Sequence, residues 1–218
     1  MDAHSPASVR QALPVFLRHA SPRILLAALA AALGARLTLG GFRLLDLLPL
    51  AGLLAVWPLQ EWLIHVVVLH WRPRRVLGRT LDFRVPLAHR AHHRDPTDPD
   101  LVFIPLHSYV YTLPLVVGLW LCLTRDAALA ATGICAHLAL ALHYEWVHFL
   151  VHTRWRPRWR PYRVLWQNHL LHHYRNEHYW FGVTRLGADR WLGTGPRRDA
   201  VPTSPSCRTL GVAVPDAP

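Results

Sequence analysis

The sequence predicts an all-α membrane protein, in which four transmembrane helices carry a cytosolic helical cap rich in histidine. Three observations support this fold class. Apolar residues make up 52% of the chain and charged residues only 17%, whereas soluble domains average about 45–50% and about 25%. The apolar residues are grouped in four long stretches, and arginine and histidine are concentrated after the second and fourth of these stretches.

Each of the four apolar stretches approaches the length of roughly 20 residues that crosses a bilayer as a helix. The spans are predicted at about residues 24–39, 44–69, 101–123 and 127–151. The first is the weakest because Arg36 lies inside it. The second and third contain prolines, which membrane helices tolerate where neighbouring groups satisfy the freed carbonyls.

The arginines predict the orientation in the membrane. All 24 basic residues are arginine, and the net charge is +11. Most of them lie between the second and third spans or after the fourth, and positively charged connections face the cytoplasm. Both segments and both termini are therefore predicted to be cytoplasmic. Nucleic-acid binding would also suit a basic chain, but apolar blocks between the arginine clusters favour a membrane, so no nucleic-acid partner is expected.

The chain divides into three predicted regions. Residues 1–22 form an N-terminal cytosolic segment, residues 23–195 form the membrane domain, and residues 196–218 form a tail. The tail is rich in Pro, Ser, Thr and Ala, which predicts disorder. The three cysteines are far apart in the sequence, which argues against a disulfide framework or a cysteine-based zinc site.

The most informative pattern is a repeated arrangement of histidines. The chain has 16 histidines, and ten of them form two similar halves. In each half a pair of histidines at the end of a span is followed by an HxxHH cluster. The ten histidines are His65, His70, His89, His92 and His93 in the first half, and His148, His152, His169, His172 and His173 in the second.

These histidines are predicted to bind metal. Residues three and four apart share a helix face, so both clusters and the pair His148–His152 should converge. His65 and His70 are five apart, so they can share a metal only if the helix end bends; otherwise they reach different metals. Ten imidazoles exceed the roughly four ligands of one zinc ion and suit two metals. Because no cysteine ligand lies nearby, a redox-active iron pair is compatible with the pattern.

Further polar residues are predicted to accept hydrogen bonds from the outer ring nitrogens of the ligands. Glu61 and Glu145 lie four and three residues before His65 and His148, although helix-end capping or an arginine partner would explain them equally well. Packing or surface exposure is the favoured alternative for the two extra histidines of the set. No catalytic residue is predicted beyond the metal ligands. The complete supporting set is Glu61, Glu145, His143, Asn176 and His178.

The four histidine motifs resemble those of the fatty acid hydroxylase/sterol desaturase superfamily of membrane di-iron enzymes. The family pattern HX4H, HXXHH, HXXXH, HXXHH is matched in order and spacing across about residues 60–185. The resemblance implies a four-helix membrane bundle with a cytosolic metal-binding cap, so that residues 23–195 form a hydroxylase-like domain. It also implies two iron ions, replaceable by zinc in a purified sample, and O2 as co-substrate. The implied activity is hydroxylation or desaturation of a lipid, such as a fatty acyl chain or a sterol.

The resemblance also sets expectations about partners and alternatives. The substrate should be a lipid within the bilayer. Some relatives carry a fused cytochrome b5 domain; this sequence has no HPGG-like haem motif, so a separate donor (ferredoxin, cytochrome b5 or a reductase) is expected. A carotenoid ring hydroxylase is the alternative enzyme. A non-enzymatic membrane metal-binding or transport protein is less favoured, because transporters carry polar ligands in mid-span and these histidines lie at span ends.

Overall fold

The computed structural model describes residues 5–212, which are mostly helical. The elements are, in chain order, α1 (Val9–Arg18), α2 (Ala20–Thr38), α3 (Leu47–Leu63), a π-helical turn (Ile64–Leu69), β1 (Arg74–Val76), β2 (Arg79–Leu81), α4 (Arg84–Arg94), α5 (Pro99–Val102), α6 (Tyr109–Leu123), α7 (Ala127–Val151), α8 (Arg160–Tyr174) and α9 (Gly187–Trp191). Short 3-10 turns cover Leu44–Asp46, Leu106–Ser108 and Arg198–Ala200.

Four helical segments are long and apolar enough to cross a membrane, which confirms the predicted fold class. They are Ala20–Thr38, Leu44–Leu69, Pro99–Leu123 and Ala127–Val151. Large apolar side chains on these segments are exposed, for example Leu115, with 68% of its surface accessible. Extended exposed apolar surface marks contact with a partner or with lipid, so these faces suit a bilayer.

Helix α7 is the centre of the bundle and packs against α2, α3 and α6. Its buried residues extend along its whole length, from Ala128 to Val151. Asp126 directly precedes the helix, and its side chain accepts hydrogen bonds from the backbone N–H groups of Ala128 and Leu129 and so caps the first turn. The central helix therefore carries its last turn, with His148, to the end of the bundle where the cap lies.

Arg36 is paired inside the bundle rather than exposed to lipid. Its guanidinium Nη2 lies 2.9 Å from Asp46 Oδ2, and its Nε donates to the Thr132 hydroxyl at 2.8 Å. The Thr132 hydroxyl in turn donates to Asp46 Oδ1. Charged residues within membrane segments are tolerated when they pair with one another inside the protein. The first span therefore holds an arginine because Asp46 neutralises its charge and Thr132 accepts one of its hydrogen bonds.

A glycine allows α6 and α7 to approach closely. An added Cβ at Gly133 would lie 2.3 Å from two carbon atoms of the Trp120 indole, and small residues permit such contacts between membrane helices. We expect Gly133→Ala to destabilise the protein by about 2 kcal/mol through overpacking, measured as a lower thermal midpoint in detergent. Gly118→Ala is the matched control, because nothing lies within 4 Å of its Cβ position. Equal midpoints for the two variants would contradict this account.

A small β-hairpin departs from the predicted all-helical cap. Strands β1 and β2 are antiparallel, with Arg74 opposite Leu81. The turn between them is formed by Leu77 and Gly78, which have φ values of 50° and 77°. Positive φ at both central residues is the conformation that two-residue hairpins favour. The sequence did not predict this hairpin because three-residue strands are too short to show an alternating pattern.

The predicted disorder of the tail is corrected for residues 196–212. Val201, Cys207 and Leu210 are buried, with exposed fractions of 4%, 5% and 2%. The Ser204 backbone N–H donates to the Arg175 carbonyl at 2.7 Å. The composition of the segment is typical of disorder, but three apolar anchors and a series of hydrogen bonds order it. The rest of the predicted tail, residues 213–218, lies outside the described residues.

Candidate metal centre

The ten predicted histidines converge at one end of the bundle. Four of them lie where two membrane segments end, at the π-helical turn after α3 and at the last turn of α7. The other six come from α4 and α8, which we call the cap helices. Nine of them are buried and His70 is half-buried. Helix α4 supplies His89, His92 and His93, and α8 supplies His169, His172 and His173.

The rings form two groups of five, and the ligand atoms of each group all lie within 4.8 Å of one another. We call these groups site A and site B. Site A consists of His65, His70, His89, His93 and His172. Site B consists of His92, His148, His152, His169 and His173.

Each site takes one histidine from the other half of the chain. In α4 the first and last histidines of the HxxHH cluster join site A, whereas His92 joins site B. In α8 the first and last join site B, whereas His172 joins site A. Residues i and i+4 lie on one helix face and i+3 is turned away from i+4 by about 100°, so one helix can serve both sites. The two halves of the sequence repeat therefore exchange one histidine each, His92 and His172, between the two sites.

The five-residue spacing of His65 and His70 is accommodated by the π-helical turn at the end of α3. The backbone N–H of His70 donates to the carbonyl of His65 at 3.0 Å, which is the i→i+5 bond of a π-helix. The two ring centroids are 4.9 Å apart. The structure thus realises the bent helix end, and both rings belong to one site rather than to two. Single π-helical turns of this kind are frequent at functional sites.

The ring nitrogens that face the two sites are suited to bind cations. Among the described residues, Nε2 of all five site A histidines is buried without a hydrogen-bond partner, and so is Nε2 of His92 and His148. In site B, Nε2 of His169 lies 3.0 Å from Nε2 of His152 and 3.1 Å from Nε2 of His173. Buried polar atoms are rarely left unpaired, and such convergent imidazole lone pairs are typical of metal ligands.

The protonation state of the cap histidines favours metal binding. Burial lowers the pKa of His93, His169 and His172, because a charged imidazolium loses its hydration inside the protein. Neighbouring imidazoles lower the pKa of these rings further. At neutral pH the rings are therefore neutral, which is the form that offers a lone pair to a metal ion.

Four of the ten rings are oriented by backbone carbonyls. In each, Nδ1 donates to the carbonyl and leaves the Nε2 lone pair directed into the site, as in well-ordered metal centres. The bonds run from His65 to Phe181, from His172 to Tyr179, from His93 to Cys207 and from His148 to Val102, at 2.7, 2.8, 2.9 and 2.9 Å. Backbone acceptors leave no side-chain signal in a sequence, so sequence reasoning missed all four.

The predicted role of Glu61 is corrected by these contacts. The Glu61 carboxylate accepts hydrogen bonds from the backbone N–H groups of Thr184 and Arg185, at 2.8 and 3.2 Å. Its oxygens are occupied by a loop that the sequence alone does not place beside it, so the acceptor for His65 is the Phe181 carbonyl instead. Since Phe181 belongs to that loop, Glu61 acts on His65 through the loop.

The predicted role of Glu145 is corrected in the same way. Its carboxylate accepts hydrogen bonds from the backbone N–H of Ile104, at 2.8 Å, and from the hydroxyl of Ser21. The adjacent end of α5 supplies the Val102 carbonyl that accepts from His148. Each glutamate thus holds the segment that orients the histidine following it in its own helix.

The other three predicted supporting residues do not hydrogen-bond to the ten rings in the described structure. Nε2 of His143 lies 3.0 Å from the Tyr162 hydroxyl. The Asn176 amide donates to the Pro202 carbonyl at 3.3 Å, so it holds the tail rather than a ligand. The His178 side chain is 56% exposed. All three are near members of the histidine set in sequence, but their side chains have other partners or are exposed.

The loop between α8 and α9 adopts an unfavourable backbone conformation. Trp180 has a φ of 58°, which is rare for a bulky residue, and only 1% of its surface is exposed. Its backbone N–H donates to Thr194 at 2.7 Å and its indole N–H to Pro196 at 3.0 Å. The conformation lets the carbonyls on both sides of Trp180, those of Tyr179 and Phe181, reach site A. Strain of this kind persists only where the surroundings fix it.

An apolar cavity of about 410 Å³ connects the histidines with the membrane segments. Its wall includes His89 of site A and His92 and His148 of site B. The remaining wall is mostly apolar, and each of the four membrane segments contributes to it. Examples are Leu25, Ile64, Leu113 and Leu138.

The chain is similar to known lipid hydroxylases. It is 29% identical over 141 residues to a dihydroceramide fatty acyl 2-hydroxylase of Arabidopsis thaliana, covering 64% of this chain and 57% of that protein. It is 30% identical over 150 residues to a ceramide very long chain fatty acid hydroxylase of Saccharomyces cerevisiae, covering 64% of this chain and 35% of that protein. The chain therefore spans well under two thirds of the length of these relatives.

The fold and the family are shown by two further comparisons. A solved structure described as full-length Scs7p, with only its hydroxylase domain visible, matches with a TM-score of 0.68 at 24% identity, covering 84% of this chain and 68% of that one. The sequence model of the fatty acid hydroxylase family matches residues 50–194, a range that contains all ten histidines and more than half of the chain. The chain therefore belongs to the fatty acid hydroxylase family.

Proposed function

We propose that the protein is an integral-membrane di-iron enzyme that uses O2 to hydroxylate the apolar chain of a lipid. The observation that carries this proposal is the meeting of the apolar cavity with both histidine sites. A lipid chain that enters the cavity from the membrane segments would bring its C–H bonds beside His89, His92 and His148. A metal-storage or transport protein needs no such cavity for a lipid.

The chemistry of the ligands supports iron in both sites. Each site offers five neutral imidazoles, and imidazole binds iron, zinc and copper well, so zinc can replace iron in a purified sample. An unactivated C–H bond has no acidic proton and no leaving group. Two bound irons together with O2 supply the oxidising power that the side chains lack.

The residues of the chain supply position and protection. The four carbonyl acceptors fix the rings, so that little reorganisation is needed when metal binds. The apolar cavity wall excludes water from the space beside the histidines and restricts where an extended chain can lie. In the overall reaction a C–H bond becomes C–OH; one oxygen atom of O2 enters the lipid, and the other leaves as water after taking up two electrons and two protons.

The relatives favour hydroxylation of a fatty acyl chain over the alternatives. The Arabidopsis protein is named as a dihydroceramide fatty acyl 2-hydroxylase and the yeast protein as a ceramide fatty acid hydroxylase. From the names of these relatives we infer that the substrate of this protein is a lipid with a long acyl chain. Desaturation, sterol oxidation and carotenoid ring hydroxylation are separate outcomes of the experiment below.

The proposal also includes the source of the electrons and the orientation of the protein in the membrane. The electrons come from a separate donor, such as a ferredoxin, a cytochrome b5 or a reductase, which docks from the cytoplasm. The metal sites and both termini face the cytoplasm, because the arginine-rich connections lie on that side by the positive-inside rule.

The experiment compares the lipids of a deletion strain complemented with the wild-type gene or with His172→Ala. We expect one lipid class to gain the mass of one oxygen atom with the wild type alone. Growth under O2 enriched in the heavy isotope should label that added oxygen, because the oxygen derives from O2 and not from water.

Other results would contradict the proposal in identifiable ways. Loss of two hydrogen atoms from a lipid would indicate desaturation, and an oxygen added to a carotenoid would indicate the alternative hydroxylase. Identical lipid profiles in all strains, together with two bound metals per chain, would favour a non-enzymatic metal protein.

A further inference from the structure

The last part of the described chain, residues 201–212, lies against site A, and we call it the C-terminal strap. It lies beyond residues 50–194, which the family model matches. We propose that the strap is a positioning element of site A, in which the backbone carbonyl of Cys207 orients His93 for metal binding. This inference rests on the proposed metal centre and adds a part of the chain that the four histidine motifs do not include.

The direct contact is a hydrogen bond from the ring to the strap. Nδ1 of His93 donates to the Cys207 carbonyl at 2.9 Å, and Nε2 of His93 is buried without a partner among the described residues. His93 has only 1% of its surface exposed and Cys207 has 5%. The strap therefore closes over the ring and fixes which nitrogen faces the site.

Hydrogen bonds hold the strap in place on both sides of Cys207. Before it, the Ser206 hydroxyl donates to Glu177 Oε1 at 2.5 Å, just beyond the end of α8. After it, the Arg208 guanidinium donates to the Arg94 carbonyl at 2.7 Å, at the end of α4. Because Arg94 follows His93 directly, the position of the Cys207 carbonyl is set relative to the same helix that carries the ring.

The two sites differ in how much they depend on this region. Three of the four carbonyl-oriented rings, His65, His93 and His172, belong to site A, and their acceptors all lie after α8. The fourth, His148 of site B, donates to Val102, far from the strap in sequence. Loss of the strap should therefore weaken site A selectively. A group that accepts a hydrogen bond from the second ring nitrogen of a metal-bound histidine typically raises the metal affinity by about 10–100-fold.

The test measures iron binding rather than turnover. Metal-free full-length protein in detergent is titrated anaerobically with Fe²⁺, and the bound iron is quantified by elemental analysis. The test variants are a truncation after Pro202 and Ser206→Ala. The matched controls are removal of residues 213–218 only, Ser206→Thr, which keeps the hydroxyl, and Cys207→Ser, which keeps the carbonyl.

We expect the truncation to weaken one of the two iron sites by about 10–100-fold and to leave the other within twofold of the wild type. Ser206→Ala should shift the same site in the same direction, and Ser206→Thr should restore it. The short truncation and Cys207→Ser should bind like the wild type. In a His172→Ala background, which retains site B, the truncation should cause no further loss.

Two kinds of result would overturn the inference. Unchanged binding at both sites after the truncation and in Ser206→Ala would show that the strap does not position His93. Equal weakening of both sites, with Ser206→Thr no better than Ser206→Ala, would show a general structural role instead. If the full-length chain itself binds no iron, the proposed function fails; if full-length and truncated chains both bind two irons, only the role of the strap fails.

Discussion

Replacement of His172 by alanine is expected to abolish lipid hydroxylation and to reduce bound iron from two ions per chain to about one. His172 is the histidine that α8 contributes to site A. Its neighbour His173 belongs to site B, so His173→Ala should give the same loss of activity through the other ion. Loss of a hydrogen-bond partner behind a metal ligand alone lowers metal affinity or activity by about 10–100-fold. Loss of a ligand itself should therefore lower activity by more than about 100-fold. Elemental analysis and lipid mass spectrometry measure the two effects.

The matched control for these variants is His178→Ala. His178 lies five residues after His173, but its side chain is 56% exposed and belongs to neither site. We expect it to keep two irons and activity within about twofold, as exposed substitutions usually have little effect. Full activity in His172→Ala, or loss of both metals in His178→Ala, would show that the ligand assignment is incorrect.

Replacement of Asp46 by alanine is expected to lower the thermal midpoint by about 10 °C, the largest stability effect that we predict. The Asp46 side chain is fully buried and the Arg36 side chain is only 8% exposed. Removal of the carboxylate leaves a guanidinium in a membrane segment without its counter-ion, which costs far more than the lost contact itself. Unfolding of the purified protein in detergent, followed by circular dichroism, measures the change.

Two controls separate the buried pair from a general charge effect. Asp199 pairs with Arg197 at 2.9 Å, but both side chains are largely exposed, so Asp199→Ala should change the midpoint by less than about 2 °C. The double variant Arg36→Leu/Asp46→Leu should recover most of the loss, because apolar residues can replace a buried ion pair at little cost. Equal midpoints for Asp46→Ala and Asp199→Ala would refute the explanation.

The spans and the grouping of the ten histidines could be predicted because their signals are local. A membrane segment needs a continuous apolar run, which is visible in any window of about 20 residues. The helical spacing of each HxxHH cluster correctly brings its first and last histidines together. The expectation that all three converge was wrong, because the middle histidine of each cluster reaches the other site. The prediction for His65 and His70 also came close, because a bend at the helix end was recognised as one of the two possibilities for a five-residue spacing.

The remaining features depend on contacts between distant parts of the chain. Glu61 was predicted to contact His65 because the two are neighbours in one helix, but Thr184 approaches it from more than a hundred residues away. Backbone carbonyls such as that of Cys207 carry no residue-specific signal, so the ordering of the tail was not predictable from its composition. The ion pair of Arg36 could likewise not be predicted, because Asp46 lies outside the helix that contains the arginine.

The exchange of His92 and His172 between the two halves links the two sites thermodynamically. An ion bound in site A would hold α8 through His172, and α8 also carries His169 and His173 of site B. An ion bound in site B would likewise hold α4 through His92. The first ion to bind therefore pre-orders ligands for the second, which favours cooperative loading. The exchange therefore couples the order in which the two sites fill, without making either ion a requirement for the other.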